Sequence, residues 1–118
     1  MKNSLIIMIF LHIVDDYYLQ GILAAMKQKD WWIKNAPDKK YKYDYIVALL
    51  MHSFSWAFMI MIPTLITDCF IWWLFLINVA VHFIVDHLKA NLKKINLIQD
   101  QTIHIIQILL TWLLCFVI

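Results

Sequence analysis

Arginine and glutamate are missing from these 118 residues: all ten basic residues are lysine and all eight acidic residues are aspartate. With Ile, Asn, Tyr and Phe abundant beside them, this reads as the coding bias of an AT-rich bacterial or phage genome, and it implies no chemistry. Charge itself is scarce, at 15% of residues against about a quarter in a soluble domain. Hydrophobic residues reach 64%, too many for one core in so short a chain. A soluble domain is thereby excluded and an integral membrane protein indicated. Glycine occurs once and proline twice, so few positions can interrupt an apolar run. The two cysteines, Cys69 and Cys115, match no metal-binding spacing. Both fall on the outer side, where a disulfide is one reading.

A bilayer core of about 30 Å takes about 20 helical residues. Four stretches qualify, at residues 4–23, 45–66, 70–88 and 97–118. The second and third form one apolar run that as a single helix would extend about 60 Å, twice the membrane. The interruption PTLITDC, with Pro63, Thr64 and Asp68, therefore marks a tight turn. Lys27, Lys29, Lys34, Lys39, Lys40 and Lys42 lie between spans one and two, and Lys89, Lys93 and Lys94 between spans three and four. Only Lys2 falls on the other side. The positive-inside rule then predicts an all-α, four-helix transmembrane bundle, N-out and C-out, as one multi-pass domain of the cytoplasmic (inner) membrane. A signal peptide would need cleavage after Ala24–Ala25, which exports the six-lysine loop, so that alternative is set aside. Trp72, Trp73 and Trp112 suit the outer interface, and Trp31, Trp32, Tyr41, Tyr43 and Tyr45 the inner one. The loop of residues 24–44, with its WWI, is expected to lie on the inner leaflet and is too small for a catalytic domain.

Chemistry must therefore sit among the helices. Span one carries His12, Asp16 and Gln20; span two His52; span three Asn78, His82, Asp86 and Lys89; span four Asp100, His104, Gln107 and Thr111. Spacings of three and four stack side chains on one helix face. Asp16, His52, His82 and His104 each lie about 10 Å from the cytoplasmic ends at 1.5 Å per residue, with Asp86, Asp100 and Gln20 nearer and His12 deeper. Helices of alternating direction thus place their polar groups in one layer. Charged groups at mid-membrane are costly, face a bundle interior and mark function.

Neutral imidazoles with carboxylates on converging helices suit a divalent metal: zinc first, with manganese or iron as alternatives. His12, His52, His82 and His104 are the expected ligands, with Asp16 and Asp86 as further ligands or as the base that deprotonates a bound water. The number of donors leaves two arrangements open: some act as supporting partners of the ligands, or two metals bind. Lys89 at the mouth would hold an anionic head group. Helix glue and a proton path are the competing readings of the same stripe. Residues off the stripe get plainer roles: His87 is solvated, Asp15 is the lesser of its pair, and Phe54, Trp56 and Phe58 face lipid or pack.

HIVDDYYLQ, the single His52, HFIVDHLK and DQTIH together resemble the domain-of-unknown-function 3307 family of small bacterial and phage membrane proteins. The likeness spans nearly the whole chain and implies motif positions at His12, Asp16, Gln20, His52, His82, Asp86, Lys89, Asp100, Gln101 and His104. Gln20, Lys89, Asp100 and Gln101 are expected around the ligands as supporting or substrate-binding groups. A looser likeness to membrane-bound metal-dependent hydrolases implies hydrolysis. The expected function is a metal-binding membrane protein with a buried, cytoplasm-facing His/Asp site, leaning to a metal-dependent hydrolase. A proton- or ion-coupled transporter or channel component, or a non-catalytic membrane partner protein, are the alternatives. Expected partners are the bilayer, a lipid or other anionic substrate of the inner leaflet, and further copies of the chain, with no nucleic acid.

Overall fold

The computed structural model describes residues 3–118, so Lys2 and its part in the topology lie outside the described residues. Those residues are helical with no strand. They form α1 (Ser4–Ile13), which continues as a π-helix over Val14–Leu19, then α2 (Leu23–Met26) and α3 (Lys29–Asn35). Three long helices follow: α4 (Asp44–Ile66), α5 (Trp72–Ala90) and α6 (Leu97–Trp112), the last extended by a π-helix over Leu113–Val117. The molecule measures 49 × 25 × 23 Å. Helix α1 packs against α4 and α6, and α5 packs against the same two.

Three helices are long and apolar enough to cross a membrane: Lys39–Ile66, Trp72–Ala90 and Leu97–Val117. The N-terminal helix is shorter than the 4–23 span expected for it. It ends at Leu19, and Gly21, at φ +55°, turns the chain away. A left-handed backbone there is open to glycine at no steric cost. The turn between α4 and α5 also differs from expectation. Pro63 lies inside α4, whose C-terminus is closed when Thr67 Oγ1 donates to the Pro63 carbonyl at 2.7 Å. The reversal falls on Thr67–Ile71, with Asp68 at φ +61°. The α5–α6 turn has Lys93 at φ +54° and feeds a capping box, in which Asn96 and Gln99 satisfy each other's backbone N–H.

Met8, Trp56, Ala57, Ile60, Met61, Leu74, Phe75 and Ile108 form the buried apolar cluster. Large apolar side chains cover the outside instead, among them Ile6, Phe10, Leu50, Phe54, Leu76, Ile84 and Leu110. In lipid, such a surface gives helices no reason to associate, so packing and interhelical hydrogen bonds must hold them together. Buried polar residues accordingly line the inner faces of α1, α4, α5 and α6. Cys69 and Cys115 are both free, so the disulfide reading is not met.

Candidate metal centre

Every stripe residue of α5 and α6 except Lys89 is buried: Asn78, His82 and Asp86 on one, Asp100, His104, Gln107 and Thr111 on the other. His12 and His52 are 1% exposed, so no donor of the stripe faces lipid. The helical spacing has done what it predicts, and four helices meet in one polar layer.

Asp86 stands at the centre. Its Oδ2 lies 3.3 Å from His52 Nε2 and 3.5 Å from His82 Nε2, and its Oδ1 lies 3.3 Å from His104 Nε2. His52 Nε2 and His82 Nε2 are themselves 3.1 Å apart. Asp16 Oδ1 approaches His52 Nε2 at 3.2 Å, and Asp100 Oδ1 approaches His104 Nε2 at 3.2 Å. Those two aspartate oxygens are buried without a hydrogen-bond donor. Ligands about 2.0–2.1 Å from one tetrahedral zinc are separated from each other by roughly 3.3 Å. The donor atoms therefore stand at ligand-to-ligand spacing. Asp16, His52 and His82, and likewise His82, Asp86 and His104, offer ligand atoms within 4.8 Å of one another. A buried His/Asp cluster of this make-up can hold a metal ion.

For two of the rings, His104 and His12, neighbouring groups dictate which atom is presented. Gln107 Nε2 donates to the Asn78 side-chain and backbone oxygens at 3.1 and 3.3 Å, which turns Gln107 Oε1 toward His104 Nδ1 at 3.0 Å. His104 Nδ1 must then donate to Gln107 Oε1, and its Nε2 faces Asp86 Oδ1 and Asp100 Oδ1, where a metal would take the place of the N–H hydrogen. Such outer partners fix tautomer and ring orientation in metal sites. His82 is held flat between the rings of Trp56, at 4.3 Å, and His104, at 4.1 Å.

His12 is a different case. Trp56 Nε1, which can only donate, reaches His12 Nδ1 at 2.8 Å. His12 Nε2 must then donate to Gln101 Oε1 at 2.9 Å. With both ring nitrogens engaged, His12 is a spacer that aims Gln101, and it lies outside both ligand groups. Gln101 Nε2 in turn donates to Asp100 Oδ2 at 2.9 Å and Asp16 Oδ2 at 3.3 Å. It holds one oxygen of each aspartate and leaves the other free.

No family model matches the chain, and no curated protein or solved structure does.

Three participants escaped the sequence reading. Asp15 is 2% exposed, accepts from Ser55 Oγ at 2.7 Å and lies 3.8 Å from His52 Nδ1. An α-helix would separate Asp15 from Asp16 by about 100°, but the wider π turn lessens that rotation and brings both inward. Trp56 faces no lipid, being fully buried against three imidazoles. Lys27, read as a loop lysine, is 6% exposed and donates from Nζ to Asp86 Oδ2 at 2.9 Å. Its backbone carbonyl accepts from Asn91 Nδ2 at 3.0 Å, which ties the returning segment to the end of α5. Periodicity carries no signal for Lys27, because Gly21 breaks the helical register before it.

The remaining expectations fall around the cluster. Gln20 donates to the Asp16 carbonyl at 2.9 Å, and Lys89 Nζ donates to Asp100 Oδ2 at 3.2 Å. A cavity of about 240 Å³ is lined by Asp16, Tyr17, Gln20, Lys27, Asp86, Lys89, Leu97 and Gln101. His87 is half-buried off the cluster, stacked on Tyr45 and hydrogen-bonded with Asn91. On α3, Trp31 and Trp32 pack edge to face, and Trp32 Nε1 donates to the Met26 carbonyl at 2.6 Å.

Proposed function

We propose that this chain is a metal-dependent hydrolase of the cytoplasmic membrane, a four-helix bundle with both termini outside and the lysine-bearing segments inside. On the motifs quoted above we also place it in the domain-of-unknown-function 3307 family. The observation that carries the metal reading is the set of 3.1, 3.3 and 3.5 Å separations among His52 Nε2, His82 Nε2 and Asp86 Oδ2. Two imidazoles and a carboxylate are a protein ligand set that leaves a fourth zinc position for water. Manganese or iron suits the same donors.

When bound, zinc supplies a water acidic enough to yield hydroxide near neutral pH. The rest falls to the chain. Asp86 has both oxygens engaged and serves as ligand. Asp16 lines the cavity and keeps one oxygen that no donor holds, so it would be the base that takes the proton. Lys27 and Lys89 lie on the same cavity and hold an anionic substrate arriving from the inner leaflet. The apolar cluster on the outer side of the polar layer, with Met8, Ile60, Met61, Leu74 and Phe75, supports a closed site over a continuous polar path.

Metal analysis of protein purified without chelator tests the reading directly. Stoichiometric zinc, manganese or iron is expected, and it should leave as pH falls, because protons compete with metal for imidazole. Protein that carries no metal and takes up none on titration would refute it.

A further inference from the structure

The donors His52 Nε2, His82 Nε2 and Asp86 Oδ2, with Asp16 beside them as base, do not exhaust the cluster. On the other side of Asp86, its Oδ1 lies 3.3 Å from His104 Nε2, which lies 3.2 Å from the unpartnered Asp100 Oδ1. These spacings repeat those of the first set. His104 Nε2 is already aimed by Gln107. One carboxylate thus faces two imidazole groups, Oδ2 toward one and Oδ1 toward the other, which is the arrangement of a bridging ligand between two metals.

Charge decides when the second position fills. With carboxylates ionised and the imidazoles neutral, as metal ligation requires, Asp15, Asp16, Asp86 and Asp100 face only Lys27 and Lys89. The surplus is two negative charges, which a single divalent ion neutralises. A second ion leaves two positive charges in a site walled by apolar helices, where uncompensated charge is costly. A dianion restores the balance. The cavity beside Asp86 has room for one, and Lys27 and Lys89 line it.

We propose that the cluster is a two-cation site bridged by Asp86, whose second position, at Asp100 and His104, fills together with a phosphate dianion. This rests on the metal reading above and adds to it both a second ion and the substrate class. The phosphate belongs to a lipid head group or to a small soluble phosphate, and both present the same oxygens to the site.

The experiment counts bound Mn²⁺ per chain by electron paramagnetic resonance, with the protein in phosphatidylcholine nanodiscs. Three arms compare Mn²⁺ alone, Mn²⁺ with inorganic phosphate, and Mn²⁺ in nanodiscs containing phosphatidic acid. One ion is expected in the first arm and two, exchange-coupled through the carboxylate, in at least one anion arm. A second ion with phosphatidic acid only identifies a lipid head group; one with inorganic phosphate identifies a free phosphate. Asp100→Asn and His104→Gln should each hold one ion in every arm, and a native elution profile for either variant suffices for the comparison. Lys89→Met should lose the anion-dependent ion and keep the first. A single ion in all arms would overturn the two-cation proposal and leave the metal reading standing. Two ions without anion would overturn the coupling to phosphate. No bound ion in any arm would overturn the metal reading itself.

Discussion

Replacing His82 with alanine separates a metal ligand from a packing residue. His82 is fully buried, and its ring lies against Trp56 at 4.3 Å and His104 at 4.1 Å. Aromatic pairs contribute about 0.5–1.5 kcal/mol each, so the metal-free variant should lose about 1–3 kcal/mol from these two contacts. The metal-dependent part is separate. A ligand at a hundred times its Kd stabilises the folded state by about 2.7 kcal/mol. Wild-type protein should gain that increment when zinc is added, and His82→Ala should gain almost none of it. Unfolding followed by tryptophan fluorescence, with and without zinc, reads both quantities. His87→Ala is the control: the two histidines share a helix, but His87 stacks on Tyr45 away from the cluster, so its zinc increment should equal that of wild type. An equal increment in His82→Ala, or an equal loss in both variants, would refute the assignment of His82 as a ligand.

Lys27→Met leaves Asp86 without its ammonium partner, and breaking a buried ion pair costs about 3–5 kcal/mol; metal should recover part of that loss, as fluorescence-monitored unfolding can measure. Gln101→Leu removes the group that links His12, Asp16 and Asp100, so metal affinity should fall about 10–100-fold, the usual effect of losing a supporting partner. A competition titration against a chromophoric chelator reads that change, and unaltered affinity would show that the Gln101 bridge does not position the ligands. Topology is tested with Cys69 and Cys115 first replaced by serine. A cysteine at Asn35 should then resist a membrane-impermeant reagent in intact cells, while one at Asn3 should react; the reverse pattern would invert the bundle.

The inward face of α5 was legible from Asn78, His82 and Asp86 alone, because a spacing of four nearly completes a helical turn and each residue faces the same way. The same reasoning found Asp100, His104, Gln107 and Thr111 on α6. Their shared depth could also be read, since rise per residue turns sequence position into height. Residues 45–66 matched α4 almost to the residue for a similar reason: apolar length is a local property. What the periodicity could not supply was any departure from regular helix. The π turn that admits Asp15, the left-handed Gly21 and the continuation of α4 past Pro63 all lie outside a rule of 100° per residue.

Roles within the cluster depended on tertiary structure more strongly still. Composition and spacing determined that this chain is helical, apolar enough for a membrane and lined with imidazole and carboxylate. They treated His12 and His104 alike. The fold separated them, because a hydrogen bond has direction and its direction depends on the partner. The indole of Trp56 can only donate, so it engages His12 Nδ1 and commits His12 Nε2 to Gln101. Gln107 instead takes the Nδ1 hydrogen of His104 and leaves Nε2 facing Asp86. Lys27 joins Asp86 from 59 residues away in sequence, across a turn that resets helical phase. Which donors face one another is a property of packed helices, and no single helix encodes it.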